Sequence, residues 1–190
     1  FRVGEPHGRE TPRIKLVMEM LSRIDSARTT SNLWGERWSK LCANAMGNGV
    51  SAATGFSSNE VAREILTRRL QIKLAGEAIA VGQALGYSLE EINKHSGDEW
   101  VKAAAGDVTA LEAVEESRIA QTKTTAEGSR PSMGQDIQKG RRTEIEQING
   151  FVVEKAKEVG FEAPANAFLV EAVKLVERGI EAPSLERVRA

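Results

Sequence analysis

The sequence predicts an almost entirely α-helical protein with one short strand at its amino-terminal end. Two observations support this prediction. Helix-capping signals recur wherever a helical period of apolar residues begins or ends, and the alternating apolar pattern of strands is nearly absent. The exception is FRVGE, residues 1–5, which alternates like the end of a strand and continues into a loop. The fold class is therefore all-α apart from these first residues.

Predicted helices follow one another along the rest of the chain. The first is amphipathic, covers residues 12–24 and has Pro12 in its first turn. A polar connection then leads to a long helix that starts near Asn32. The later predicted helices cover residues 57–85 before a stop at Gly86, then 88–96, 107–124, 132–140, 143–160 and 165–179. Capping boxes at Ser57/Glu60, Ser132/Gln135 and Thr143/Glu146 open three of them.

Length and composition restrict the function classes. The 190 residues accommodate one sizeable core, or one domain with part of another. The chain has 26 Lys and Arg and 27 Asp and Glu, so its net charge is close to zero and does not attract nucleic acid or anionic lipid. No apolar run could span a bilayer, and FRVGEPHGRE lacks the hydrophobic core of a secretory signal. We therefore expect a cytoplasmic protein without nucleic-acid or membrane partners.

The chain divides into two parts near residue 31. It begins with Phe1 instead of Met, which indicates a processed chain or part of something longer. Residues 1–31 have the strand, loop, helix and linker expected of the tail of a preceding domain. Residues 32–190 carry the long helices and are predicted to form an all-α domain.

The stretch GNGVSA, residues 47–52, fits the G-x-G-x-x-A pattern that binds the pyrophosphate of a dinucleotide. Such a site requires the glycines in a turn between a buried strand and a helix. Here Trp34, Trp38 and Leu41 precede the glycines at a helical spacing. We therefore predict that GNGVSA lies within a helix and binds no dinucleotide.

On the same helix, Lys40, Asn44 and Asn48 recur every fourth residue and fall within an arc of about 80°. This polar stripe borders the apolar face, which is where a cleft would lie. Asn is a poor helix former, so two in register suggest a function. The alternative is a solvated lysine with two asparagines that the helix tolerates.

A second group of candidates follows residue 130. Ser132, at a predicted helix N-cap, lies beside free backbone N–H groups that suit a carboxylate or phosphate. Glu144 is predicted in the first turn of the next helix, and Lys139, Arg141 and Arg142 lie between. Each also has a structural explanation: capping for Ser132, the helix dipole for Glu144 and solvation for the basic residues.

Other reactive side chains lack partners in the sequence. Cys42 is predicted to be a small buried residue of a reducing compartment rather than a nucleophile. His7 and His95 have no second ligand at metal spacing, so no metal site is predicted.

Two segments resemble the ketopantoate reductase family, whose members are 2-dehydropantoate 2-reductases. They are WSKLCANAMGN, with the pattern W-x-K-L-x-x-N-x-x-x-N, and PSMGQDIQKGRRTEIEQINGFVVEKAKEVG, with S-M-x-Q-D and T-E-I-x-x-I-N-G. The resemblance covers most of the chain. It implies the helical carboxy-terminal domain of the 6-phosphogluconate dehydrogenase-like type, preceded by the last strand of an NADP-binding Rossmann domain.

The resemblance implies an NADPH-dependent reduction of a 2-oxo acid, with NADPH held mainly by the missing domain. Lys40 matches the family's general acid, and Glu144 matches a catalytic, cofactor-binding carboxylate. Asn44 and Asn48 match amides that bind the substrate, and Ser132 matches the residue that holds its carboxylate. A homodimer through the helical domain is also expected. This chain alone is expected neither to bind NADPH appreciably nor to turn over.

Two alternatives to 2-dehydropantoate reduction remain. The family often has Pro-Leu-Thr after the second Asn, whereas this chain has Gly49, Val50 and Ser51, preceded by Gly47. A reductase of another branched 2-oxo acid is therefore possible. The other alternative is a non-catalytic helical module used for dimerisation.

Overall fold

The structure is a computed structural model that describes residues 1–189, and α-helices dominate it, as predicted. The helices of the described residues are Pro12–Leu21 (α1), Leu33–Thr54 (α2), Ser58–Arg63 (α3), Ile65–Ala84 (α4), Gly97–Ala104 (α5), Val108–Gln121 (α6), Ser132–Gln138 (α7), Phe151–Glu158 (α8) and Pro164–Glu177 (α9). A π-helical turn, Glu146–Gly150, leads directly into α8, and a 3-10 turn covers Leu185–Val188. None of the described helices is both long and apolar enough for a bilayer span.

The first 29 residues form a β–α–β unit. Strand β1, Arg2–Val3, pairs in parallel with strand β2, Arg28–Thr29, and α1 connects them. The second strand was not predicted, because its residues are polar and it is only two residues long. Helix α1 begins at Pro12 as predicted but ends at Leu21, earlier than expected.

Helix α2 is the centre of the helical part. It runs through GNGVSA without a break, so the prediction that these glycines lie in a helix is confirmed. Gly49 is required by packing, since a Cβ there would lie 2.8 Å from Leu169 Cδ2 and 2.9 Å from Ile145 Cδ1. Close approach of α9 and of the π-helical turn to α2 explains this glycine.

The helix predicted for residues 57–85 is two helices. Ser57 caps α3, and its capping box with Glu60 is present as predicted. The backbone then becomes extended at Glu64, with ψ of 124°. The Glu64 carboxylate accepts a hydrogen bond from Leu66 N at 3.3 Å. This local cap starts a new helix, which ends before Gly86, where φ is 83°.

Residues 88–96 form no helix, contrary to the prediction. They run extended into a tight turn at Asn93 and Lys94, where φ is 53° and 67°. Trp100 Nε1 donates a hydrogen bond to Ile92 O at 2.9 Å, so a side chain eight residues away satisfies a carbonyl that a helix would have satisfied. An unpredicted capping box, Ser96 with Glu99, then opens α5.

Two of the predicted capping boxes are wrong. Ser132 is the first residue of α7, not its cap, and the Gln135 amide donates to a preceding backbone carbonyl at 2.9 Å. The Thr143 hydroxyl accepts a hydrogen bond from Ile145 N, but the Glu146 carboxylate accepts none from Thr143 N, as a capping box requires. It pairs with Lys174 at 2.7 Å instead, because α9 packs beside this turn.

Candidate active site

The polar stripe of α2 faces open space. Lys40 is exposed, and Asn44 and Asn48 are half-buried. Within residues 1–189, none of the three side chains makes a hydrogen bond or ion pair. All three therefore keep their full hydrogen-bonding capacity for a ligand or for water.

Lys40 and Asn44 line an open groove of about 1080 Å³, here called the Lys40 groove. Helix α2 forms its floor, and its walls are the two strands and the segment that precedes α5. Its polar and charged lining residues are Arg2, Arg28, Glu36, Arg37, Ser39, Lys40, Asn44, Glu90, Glu91 and Asn93.

The wall before α5 is fixed to the start of α2. The Ser39 hydroxyl accepts a hydrogen bond from Glu90 N at 2.9 Å, and the Asn32 amide donates to Ser88 O at 2.8 Å. A Cβ at Gly35 would overlap the Ser88 carbonyl oxygen, so only glycine permits this approach. The groove is therefore built on rigid backbone contacts.

The charges of the Lys40 groove nearly balance, yet Lys40 itself is unpaired. Arg2 and Glu36 form an ion pair at 2.7 Å. Among the described residues, Lys40, Arg28 and Arg37 have no carboxylate within ion-pair distance. The ammonium group of Lys40 therefore lies, without an ion-pair partner in the described residues, at a groove that an anionic or carbonyl ligand could enter.

A smaller cavity of about 220 Å³ adjoins the groove along α2, here called the Arg118 cavity. Ala43 borders both spaces, and Asn48 lines the smaller one. Its polar lining residues are Asn48, Ser58, Asn59, Gln71, Arg118, Gln121, Thr122 and Thr125. The stripe of α2 therefore borders two spaces that share Ala43 as a lining residue.

Arg118 was not predicted as a site residue. Its guanidinium donates to Gln71 Oε1 at 2.9 Å and to Gln121 Oε1, while its buried Nε has no hydrogen-bond partner among the described residues. Burial lowers the pKa of Arg118 to about 10. Sequence spacing gave no signal for this group, because Gln71 precedes Arg118 by 47 residues.

Ser132 and Glu144 are both exposed. Ser132 begins α7, whereas Glu144 precedes the π-helical turn and does not lie in the first turn of a helix, contrary to the prediction. Both α7 and the π-helical turn pack on α2. Next to Glu144, the Ile145 side chain packs against Gly49. Near Ser132, a Cβ on Gly134 would lie 2.5 Å from Ser51 Oγ. In the described part of the chain, however, neither side chain is hydrogen-bonded to Lys40, Asn44 or Asn48. No ion pair joins Lys40 to Glu144.

Asn149, in the I-N-G part of the sequence motif, anchors the opposite side of α2. Its amide nitrogen donates to Ala45 O at 2.9 Å and to Asn166 Oδ1 at 2.9 Å. The Asn166 amide in turn donates to Glu77 Oε2 at 2.8 Å. This buried network joins four helical elements, and it shows that part of the motif has a structural role.

Cys42 lies on the buried side of α2. It has no exposed surface, as predicted, and burial raises the pKa of its thiol to about 12. Nowhere in residues 1–189 do three His, Cys, Asp or Glu side chains cluster as metal ligands would.

Comparison with known families identifies the helical part. The model of the family described as "Ketopantoate reductase PanE/ApbA C terminal" matches residues 32–177. The chain belongs to this family. The matched range begins at the cap of α2 and ends at the last residue of α9, so it covers the whole stripe and the buried network.

Curated relatives agree with the family. A 2-dehydropantoate 2-reductase of Archaeoglobus fulgidus is 29% identical over 179 residues, which are 94% of this chain and 53% of that protein. A second, from Mesorhizobium japonicum, is 29% identical over 182 residues and covers 94% of this chain and 49% of that protein. The chain thus spans about half the length of these relatives.

Solved structures share the fold. The ketopantoate reductase of Ralstonia eutropha JMP134 superposes with a TM-score of 0.67 at 25% identity, covering 89% of this chain and 50% of that one. D-mandelate dehydrogenase in complex with NADH gives a TM-score of 0.74 at 21% identity, covering 95% of this chain and 55% of that one. The latter likeness shows the fold alone.

Proposed function

We propose that this chain is the substrate-side domain of an NADPH-dependent reductase that converts a 2-oxo acid, 2-dehydropantoate or a similar compound, to a 2-hydroxy acid. The observation that carries the proposal is the stripe of α2. It presents the unpaired ammonium of Lys40 and the unbonded amide of Asn44 to an open groove and the unbonded amide of Asn48 to the smaller cavity, at positions that match the family's pattern. Membership of a family whose curated relatives are 2-dehydropantoate 2-reductases supports the reaction class.

Lys40 is the proposed general acid. Its Nζ donates a hydrogen bond to the substrate's oxo oxygen and transfers a proton to that oxygen as the carbonyl carbon is reduced. A fixed cation stabilises the negative charge that develops on the oxygen, most strongly where water is excluded. The free ammonium of Lys40 requires no competing ion pair to be broken before this step.

Asn44, Asn48 and Ser132 are the proposed substrate-binding residues. Each asparagine amide offers two donors and one acceptor oxygen, which suits a substrate hydroxyl or carbonyl. Both amides are carried by one continuous helix, so their backbone positions are fixed before a ligand binds. Ser132 is the proposed carboxylate ligand; it follows Pro131, which lines the Arg118 cavity.

Glu144 is the proposed contact to the cofactor and to Lys40. An exposed carboxylate without an ion pair in the described residues fits a ribose hydroxyl, which donates hydrogen bonds. A carboxylate that comes near Lys40 would also attract the ammonium and help to hold it in position. NADPH, when bound, supplies the hydride. The chain's own groups orient the substrate and deliver the proton.

We also propose that residues 1–31 are the end of a nucleotide-binding domain and that residues 32–190 form the substrate domain. The parallel β–α–β unit supports this division, since parallel strands joined by a helix are the unit of Rossmann sheets. On α1, Leu16 and Met20 are 59% and 64% exposed, which suits a helix that packs against further sheet. A cytoplasmic homodimer remains a prediction.

The test is Lys40→Ala in the complete reductase, with Lys73→Ala as the control. Lys73 is exposed on α4 and lines neither the groove nor the cavity. We expect Lys40→Ala to lower turnover by about a thousandfold or more and to leave NADPH affinity unchanged. Lys73→Ala should match the parent. Retained turnover in Lys40→Ala would remove this lysine from the mechanism.

A further inference from the structure

One wall of the Lys40 groove ends in a backbone conformation that side chains rarely adopt. This wall segment, residues 90–93, lines the groove and leads into the turn at Asn93 and Lys94. Asn93 has φ of 53° and Lys94 has φ of 67°, both in the left-handed region. Asparagine tolerates this region, but two successive residues other than glycine in it are uncommon. Such a conformation persists only where surrounding contacts fix it.

Helix α6 supplies two of these contacts, and both are made to Asn93. The Ser117 hydroxyl donates a hydrogen bond to Asn93 O at 3.2 Å, and Gln121 Nε2 donates to Asn93 Oδ1 at 2.6 Å. Ser117 and Gln121 are four residues apart in α6 and therefore lie on the same side of it. One helix thus holds both the backbone and the side chain of Asn93.

The amide of Gln121 is itself held in orientation. Its Oε1 accepts a hydrogen bond from the Arg118 guanidinium, one turn earlier on α6. Because a guanidinium only donates, this contact turns Nε2 of Gln121 towards Asn93. Arg118 also donates to Gln71 Oε1 on α4 at 2.9 Å. A chain of three hydrogen bonds therefore runs from α4 through α6 to the groove wall.

Asn93 is not the residue that stability alone favours. Its Nδ2 is buried without a hydrogen-bond partner among the described residues, and an unpaired buried donor lowers stability. Glycine would adopt the same φ without strain and would bring no unpaired donor. What asparagine adds is the contact to Gln121. Asn93 lines the Lys40 groove, whereas Gln121 does not, so this contact fixes the wall from behind.

We propose that Asn93 is a positioning residue of the Lys40 groove: α6 holds it in the left-handed turn through Gln121, so that the wall segment keeps its place before the substrate binds. This inference rests on the proposed function, since it assigns the groove to the 2-oxo acid. A preformed wall avoids the entropy cost of ordering a segment on binding. No wall residue is proposed for proton transfer, so the wall affects substrate affinity and not the chemical step.

The decisive variant is Gln121→Met in the complete reductase, because Gln121 lies outside the groove and methionine keeps its length and helix propensity. We expect KM for 2-dehydropantoate to rise about fivefold, as the loss of one hydrogen bond would give, with kcat within about twofold of the parent. Lys94→Gly is the matched control. It removes the strain at the neighbouring residue and leaves both contacts to Asn93, so KM should equal that of the parent.

A double-mutant cycle shows whether Gln121 acts through Asn93. Gln121 also lines the Arg118 cavity beside Asn48, which is a second route by which it could affect the substrate. Asn93→Gly alone should raise KM by about the same factor as Gln121→Met. With Asn93→Gly already present, Gln121→Met should raise KM no further. Asn93→Gly also serves if Gln121→Met does not fold.

Hydrogen exchange in the 190-residue chain tests the contact without any turnover. Ile92 N donates to His95 O at 3.0 Å and His95 N to Ile92 O at 3.1 Å, so these two amides report whether the turn is held. In Gln121→Met both should exchange about fivefold faster than in the parent, while amides in the middle of α4 keep their rates. In Lys94→Gly neither should exchange faster.

Three results would overturn the inference: an unchanged KM in Gln121→Met, additive effects of Gln121→Met and Asn93→Gly, or unchanged exchange of the Ile92 and His95 amides. The proposed function can fail separately, because turnover of Lys40→Ala decides it. The exchange rates show whether α6 holds the turn even where no 2-oxo acid is reduced.

Discussion

The two sides of α2 differ in how their polar groups are satisfied. On the packed side, Ala45 O accepts a hydrogen bond from Asn149, and Gly49 lies against two apolar side chains. On the open side, Lys40, Asn44 and Asn48 have no hydrogen-bond partner among the described residues. One helix therefore carries an anchored side and an unsatisfied side, only a fraction of a turn apart.

This difference separates stability from function. Most polar groups that stabilise a fold are paired within it, because an unpaired buried group costs about 1–3 kcal/mol; on the packed side, Asn149 Oδ1 is an exception without a partner in the described residues. Polar groups that bind a ligand must have no partner within the protein. Substitutions on the packed side should therefore change the free energy of unfolding, and those on the open side should change binding and turnover.

The largest expected effect concerns Cys42 on the packed side. Because burial raises its pKa to about 12, its thiolate fraction at pH 8 is roughly a thousandfold below that of an ordinary thiol. We expect alkylation by iodoacetamide to be slower than in the urea-unfolded chain by at least that factor. Mass spectrometry of timed samples measures both rates. Equal rates would show that the packed side opens readily.

The next effect is the loss of the buried amide anchor. Asn149→Ala leaves Ala45 O and Asn166 Oδ1 without their donor and opens a small cavity, which should cost about 3 kcal/mol of unfolding free energy. The control is Gln147→Ala, in the same π-helical turn but exposed, which should change little. Urea unfolding measures both. Similar values for the two variants would refute an anchoring role.

The two glycines of GNGVSA lie on the same helix but have different surroundings. Gly49→Ala forces a methyl against Leu169 and Ile145, which should destabilise the chain by about 2 kcal/mol. Gly47→Ala meets only the Gln71 amide at 3.7 Å and should stabilise it by up to about 1 kcal/mol, since alanine favours helix. The two substitutions are expected to shift the thermal unfolding temperature in opposite directions. Equal shifts would contradict the packing argument.

Sequence patterns predicted the parts of this fold that depend on local signals. The helical spacing from Trp34 onward placed α2 and its polar stripe correctly. The Ser57/Glu60 capping box was also correct: Glu60 N donates to the Ser57 hydroxyl, and Ser57 N donates to the Glu60 carboxylate. Gly86 was recognised as a stop, since its left-handed φ favours glycine.

Features set by distant contacts could not be predicted in this way. The segment before α5 has helix-forming residues, but Trp100 and Ser39 bind its backbone in an extended form. Glu146 lies at capping spacing from Thr143, but a lysine on α9 competes for it.

The same limit applies to the candidate site. Spacing gave Lys40, Asn44 and Asn48 because they share one helix face. It gave no hint of Arg118, whose partner Gln71 lies on another helix. Ser132 and Glu144 became candidates through predicted helix starts and through the family resemblance, and in the described residues neither side chain is hydrogen-bonded to the stripe.

The unfolding free energy of the chain with Lys40, Asn44 and Asn48 all replaced by Ala decides whether the stripe serves a ligand or the fold. If the stripe exists for a ligand and not for the fold, urea unfolding should give the parent's value or about 1 kcal/mol more, because alanine is the better helix former. A loss of more than about 1.5 kcal/mol would show that these side chains support the structure, and would contradict the account.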